Sequence, residues 1–66
     1  MNIIVNGKPF TAPDGLTIQG LLDLRGLDKN LVVVEVNESI VPRELLGGRC
    51  LAEEDIVEIL RFVGGG

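Results

Sequence analysis

The sequence predicts an α+β fold, in which one helix packs across one face of a mixed sheet of four to five strands. The chain has 66 residues, enough for one domain. Its hydrophobic residues are mostly Leu, Ile and Val, with Phe10 and Phe62 the sole aromatics, so aliphatic side chains must form the core. Several short segments have strand-like patterns, and one segment after Thr17 has helical spacing.

The first elements are a hairpin. Ile3 and Val5 alternate with polar neighbours, which predicts a strand. Asn6-Gly7 then predicts a tight turn, because both residues tolerate positive φ. Residues 8–12 form the return strand, and Pro9 places that strand at an edge, because proline cannot donate a ladder hydrogen bond.

A short helix follows the Pro13-Asp14-Gly15 turn, with Thr17 as its N-cap. Gly20 is expected to allow close packing of the helix on the sheet. Gly26 suits a left-handed C-cap, after which Leu27 folds back onto the helix. The positions at helical spacing are Ile18, Leu21, Leu22 and Arg25.

The second half of the chain predicts three more strands. The β-branched run at 31–36 indicates a central strand buried on much of both faces. A short strand at 39–41 ends at Pro42, and a helical turn is possible at 43–46. Cys50 and Leu51 are expected to return to the core as an apolar pair. Residues 56–63 form the last strand.

These elements predict a β-grasp domain over residues 1–63, followed by a flexible glycine tail at 64–66. In this arrangement the helix serves as a crossover that makes the third strand parallel to the first. The last strand lies beside the first and parallel to it.

Composition excludes several classes of function. The net charge is -4 and the six basic residues are scattered, which argues against binding of nucleic acid or an anionic membrane. An acidic domain suits the basic faces of partner proteins instead. A chain this short has no room for a deep pocket, so we do not expect an enzyme. Cys50 is alone, which excludes an internal disulfide or cysteine metal cluster and suits a reducing compartment. With neither a signal peptide nor a membrane span in the sequence, the cytoplasm is the expected location.

The tail carries the most informative chemistry. Gly64, Gly65 and Gly66 cannot pack, but without side chains they can enter a narrow channel, and three extended residues reach about 10 Å. The terminal carboxylate is a poor electrophile and must be activated, for example as a mixed anhydride with AMP. Because the chain has no His and no phosphate-binding loop, a partner must bind ATP. The alternative is an inert flexible end.

A docking patch is predicted on the sheet face opposite the helix. It comprises Ile4, Glu58, Leu60 and Phe62. Scattered surface hydrophobes are the competing interpretation. An acidic group, formed by residues 53–55 and Glu58, either meets basic residues of the activating partner or, at Glu53 and Glu54, is a solvated turn.

Four segments carry a resemblance to a known family: residues 17–22, 33–37, 40–44 and 55–66. Over essentially the whole chain, and most specifically at the ending Phe62-Val63-Gly64-Gly65-Gly66, the sequence resembles the ThiS family, the ubiquitin-like sulfur carriers of thiamine biosynthesis. The resemblance implies that an E1-like, ThiF-like enzyme adenylates Gly66 with ATP. A sulfur donor then forms a thiocarboxylate, and a ThiG-like thiazole synthase receives the tail of residues 64–66. It implies no cofactor on this chain.

Other functions stay open on the sequence. Small subunits of molybdopterin synthase share the fold and the Gly-Gly ending, although they are somewhat longer. A ubiquitin-like modifier would join Gly66 to a lysine of another protein. An interaction domain would have a tail without function.

Overall fold

The structure, a computed structural model, describes residues 1–62. Val63 and the predicted tail at 64–66 therefore lie outside the described residues. The strands and helix are β1 Asn2–Val5, β2 Lys8–Thr11, α1 Ile18–Leu24, β3 Val32–Val36, β4 Ser39–Ile40 and β5 Ile56–Arg61, with 3-10 turns at Lys29–Leu31 and Arg43–Leu45. Within the described chain, neither α1 nor the turns are long and apolar enough to cross a membrane.

The sheet has five strands in the order β2-β1-β5-β3-β4, and α1 packs on one face of it. This confirms the predicted β-grasp architecture. The pairing of β5 parallel to β1 is also confirmed. The predicted edge position of β2, based on Pro9, is correct as well.

The predicted direction of the third strand is wrong. Because β5 is parallel to β1 and antiparallel to β3, β3 runs antiparallel to β1. The helix follows β2, and β2 is itself antiparallel to β1. The crossover through α1 therefore links β2 and β3, which run in the same direction.

The core lies between α1 and the inward face of the sheet. Ile18, Leu21 and Leu22 of the helix are completely buried. They pack against inward-facing strand residues, chiefly Ile3, Val5, Val34, Val36 and Val57. Burial of one such aliphatic side chain contributes about 1.5–3 kcal/mol, so this single layer dominates the stability of a small domain. The β3 prediction was too strong, since Val33 and Glu35 are half-buried rather than buried.

The helix ends are as the sequence predicts. The Thr17 hydroxyl oxygen accepts a hydrogen bond from the Gly20 N–H at 3.0 Å. At the other end Gly26 has φ of 66°, and its N–H donates to the Asp23 carbonyl at 3.1 Å. The Leu27 N–H donates to the Leu22 carbonyl at 2.9 Å, which completes a Schellman motif.

The prediction that Cys50 returns to the core is wrong, and the structure also shows what surrounds Gly20 and Arg25. A Cβ at Gly20 would lie 2.7 Å from a side-chain carbon of Leu16 and 3.3 Å from the Thr17 hydroxyl oxygen, so the absence of a side chain here makes room for Leu16. Arg25 is the exposed C-cap, and its guanidinium lies 5.7 Å from the centre of the Phe10 ring. Cys50 is exposed. It precedes buried Leu51 in an extended segment that bridges to Thr17, and neighbouring side chains of such a segment point to opposite sides.

Candidate partner-docking face

The face of the sheet opposite α1 is apolar and exposed along β5. Side chains alternate along this strand, so Val57 and Ile59 point into the core while Ile56, Glu58 and Leu60 point outward. Leu60 is 53% exposed and Phe62 is 58% exposed. Since large apolar side chains this exposed lie together on one face, they form a surface suited to a protein partner.

The structure places the residues of the predicted docking patch on one face of the sheet. Ile4 lies opposite Ile56 across the parallel β1–β5 pair and is half-buried. Glu58 and Leu60 share its face, and the Phe62 N–H continues the ladder by donating to the Leu31 carbonyl at 2.9 Å. That docking occurs at this patch stays a prediction, because the described residues include no partner.

Sequence reasoning missed several members of this face, among them Ile56 and two residues of β3. Ile56 is 49% exposed, and its side chain points to the same side of β5 as that of Glu58. Val33 and Glu35 of β3 lie directly opposite Leu60 and Glu58. The alternation within each strand could have shown Ile56, but the cross-strand neighbours depend on the register, which the sequence does not show.

The centre of the face holds an unfavourable pair of like charges. Glu35 and Glu58 are directly opposite each other in the β3–β5 ladder. Like charges in this position destabilise a sheet. A basic side chain from a partner would remove the repulsion, so the face is complementary to an apolar surface that carries Lys or Arg.

The other predicted acidic residues have structural roles. Both Glu53 carboxylate oxygens accept from the Asn2 N–H, at 3.0 and 3.1 Å. Asp55 accepts from the Ala52 N–H at 2.8 Å and from the Asn37 side chain at 3.0 Å. Glu54 closes the turn with φ of 70°. Of this group, Glu58 alone belongs to the open face.

Two asparagine side chains position β5, a role that the sequence interpretation as simple turns missed. The Asn6 Oδ1 accepts from the Ile59 N–H at 2.7 Å, and the Asn37 Oδ1 accepts from the Ile56 N–H at 2.9 Å. Both asparagines have positive φ, 49° and 51°. In the sequence, an Asn in a turn next to a predicted strand could have indicated such a hydrogen bond. It could not have shown which strand donates the bond.

Residues 1–62 contain no group of three or more His, Cys, Asp or Glu side chains that could bind a metal ion. The candidate site is the exposed apolar face at the end of β5, and in the sequence β5 is followed closely by Gly64, Gly65 and Gly66. The predicted roles of these glycines lie outside the described residues.

The ThiS family model matches residues 3–66, nearly the whole chain. The chain belongs to the ThiS family. This confirms the family that the sequence resembles. The crystal structure of the thiamine biosynthesis protein ThiS from Geobacter metallireducens matches with a TM-score of 0.83 and 38% identity, and each chain is covered completely.

Relatives of this ThiS-family chain are of two lengths. The sulfur carrier protein ThiS of Bacillus subtilis is 40% identical over 63 residues, covering 94% of this chain and 96% of the relative. A thiazole synthase of Magnetococcus marinus is 41% identical over 66 residues, all of this chain. The chain spans only 20% of that longer protein.

Proposed function

We propose that this ThiS-family chain is a sulfur carrier for thiamine biosynthesis, which bears sulfur as a thiocarboxylate on Gly66. The observation that carries the proposal is the family match through residue 66, which includes the whole glycine segment. The Bacillus subtilis relative, named a sulfur carrier protein, matches nearly end to end and supports the same role.

The proposed chemistry has two steps. The Gly66 carboxylate attacks the α-phosphorus of ATP, pyrophosphate leaves, and an acyl-adenylate forms. A donor then supplies sulfur at the oxidation level of hydrogen sulfide, which attacks the acyl carbon and displaces AMP. The anionic, polarizable sulfur of the product is a good nucleophile for building a thiazole ring.

The catalysts are partner proteins, and this chain is not an enzyme in the proposal. A ThiF-like adenylating enzyme binds ATP, and this chain binds no cofactor. A ThiG-like thiazole synthase accepts the sulfur, with residues 64–66 inserted into its active site. A protein named thiazole synthase contains a segment 41% identical to this whole chain, which supports a physical association of the two.

The docking patch supplies the recognition surface in this proposal. Leu60 and Phe62 end the described chain beside the tail, so a partner that covers them also receives the glycines. No nucleic acid or membrane is involved, in keeping with the net charge of -4. The proposed location is the cytoplasm, where the exposed thiol of Cys50 would stay reduced.

Intact mass spectrometry tests the proposal. The chain is produced with its adenylating enzyme and a sulfur donor, beside a matched chain that lacks Gly66. The expected result is a mass gain equal to the exchange of one oxygen for one sulfur, mapped to Gly66 and absent from the control.

Two results would count against the carrier. An unmodified mass under sulfur-replete conditions, with active adenylating enzyme, would favour an interaction domain. Higher-mass conjugates linked through Gly66 to lysine would instead favour a ubiquitin-like modifier.

A further inference from the structure

The two outer edges of the sheet are poor sites for an added strand. In an antiparallel pair every second residue forms hydrogen bonds to the partner strand. Ala12, which follows β2, is one of these residues, because its N–H donates to the carbonyl of Met1, which precedes β1. Pro9 therefore faces the outer edge, where it offers no N–H. At the opposite edge β4 has only two residues and Pro42 follows soon after. Short strands and proline are common protections against edge pairing.

The second half of β5 has an uncovered edge on the side of β1, because β5 is longer than its pairing with β1. The β1–β5 pairing covers Ile4 with Ile56 and Val5 with Val57. At Asn6 the chain turns away into β2, while β5 continues to Arg61. The Asn6 N–H donates to the Val57 carbonyl at 2.9 Å, and the Asn6 Oδ1 accepts a hydrogen bond from the Ile59 N–H. Beyond this point β1 offers no partner to β5.

Hydrogen bonds to β3 alternate along β5, and this alternation identifies which backbone groups of β5 have no partner on the β1 side. The Phe62 N–H donates to the Leu31 carbonyl, and the Asn37 N–H donates to the Ile56 carbonyl. Even-numbered residues of β5 therefore direct their backbone groups toward β3. The Ile59 carbonyl and both the N–H and carbonyl of Arg61 point to the other side, and they have no partner within residues 1–62.

We propose that an extended segment of the thiazole synthase partner pairs with this β5 edge, in the place that β1 vacates after Asn6. The inference rests on the proposed function. The edge adjoins Leu60 and Phe62, so a partner that covers the docking patch also removes water from these backbone groups. Buried backbone donors and acceptors must be paired. The N–H and carbonyl groups of an extended segment have the same spacing as those along the β5 edge. An added strand can therefore pair with them, as in other cases of strand addition to a sheet edge.

The thiazole synthase is the favoured occupant because of its relation to this chain. In Magnetococcus marinus a protein of that name includes a segment similar to all 66 residues of this chain, so both parts lie in one polypeptide. Such pairing would also hold the synthase beside the end of β5, which precedes residues 64–66 in the sequence.

Arg61→Pro and Arg61→Ala form a matched pair of variants for this edge. Proline removes the Arg61 N–H, and no bond to β3 is lost because that N–H points away from β3. The preceding Leu60 is in a strand, which is the conformation proline favours before it. Alanine removes the same side chain but keeps the N–H. We expect Arg61→Pro to weaken binding to the thiazole synthase by about 10-fold relative to Arg61→Ala, the order expected for loss of a desolvated hydrogen bond.

Amide exchange in the wild-type chain is the second measurement, and it does not depend on how the proline variant folds. The Arg61 amide should exchange rapidly in the free chain and slowly in the complex. Equal binding of the two variants would overturn the proposal. So would an Arg61 amide that is protected before the partner is added, or one that stays unprotected in the complex. If the wild-type chain gains sulfur but does not bind the synthase, the carrier chemistry stands and the edge proposal fails.

Discussion

Asn6 combines a backbone and a side-chain role at one position. Its φ of 49° starts the tight turn between β1 and β2, and Gly7 follows with φ of 80°. Its Oδ1 accepts from the part-buried Ile59 N–H at 2.7 Å, across 53 positions of sequence. The turn residue therefore ties the first hairpin to the strand that leads to the tail, and it marks where β1 stops covering β5.

Replacement of Asn6 separates these two roles. Asn6→Gly keeps the turn but loses the acceptor, and we expect it to reduce the free energy of unfolding by about 1 kcal/mol. Asn6→Asp keeps an acceptor oxygen at the same place and should change stability by less than about 0.5 kcal/mol. Urea denaturation of the three chains measures both effects. Equal stability of wild type and Asn6→Gly would show that the hydrogen bond contributes nothing.

At the scale of elements, α1 is held at its two ends and on one face. It has seven residues, too few for a stable isolated helix in water. Thr17 caps its first turn, Gly26 ends it in a left-handed conformation, and the completely buried Ile18, Leu21 and Leu22 attach it to the sheet. The helix exists because the sheet gives its apolar face somewhere to pack, while the caps decide where it begins and ends.

Gly26 provides a clean test of the C-terminal cap. A Cβ at this position would meet no atom within 4 Å, so the cost of a side chain comes from the backbone conformation alone. We expect Gly26→Ala to lower the free energy of unfolding by about 1–2 kcal/mol, because of its positive φ. Gly26→Asn should lose less, since asparagine tolerates this region better. Thermal or urea unfolding that ranks alanine equal to glycine would contradict this explanation.

At the scale of the whole molecule, the sheet has two different faces. One is covered by α1 and buries the core, and the other carries the docking patch and the opposed Glu35–Glu58 pair. Because the patch leads into the glycine segment, a partner held on the sheet would lie where the tail begins. In the proposed function, this division lets the open face recognise a partner while Gly66 carries the sulfur.

Two exposed leucines on opposite layers test this division. Leu60, on the open face, is 53% exposed, and Leu24, on α1, is 63% exposed. Both Leu60→Ala and Leu24→Ala should change the free energy of unfolding by less than about 1 kcal/mol. Leu60→Ala should raise the Kd for the thiazole synthase by about 10-fold, whereas Leu24→Ala should leave it within about 2-fold. Titration calorimetry with both variants measures the difference, and equal Kd values would place the interface elsewhere.

Local signals predicted the elements of the fold well. Asn6-Gly7 predicted the first hairpin, Thr17 and Gly26 predicted the helix ends, and Pro9 predicted an edge strand. Each of these depends on one or a few neighbouring residues, because caps and turns are decided by local backbone conformation. The outward side of β5 followed from alternation, and so Leu60 and Phe62 were correctly placed on the open face.

The sequence by itself determined the element order, the helix caps, the outward position of Glu58 and Leu60 in β5, and the family, through patterns that local chemistry enforces. Only the tertiary structure decided the direction of β3, the exposure of Cys50, the meeting of Glu35 with Glu58, and the bond from Asn6 to Ile59. These features depend on strand register and on which side of a short segment enters the core. Both are chosen by burial of the whole apolar set at once, a property that no local stretch of residues contains.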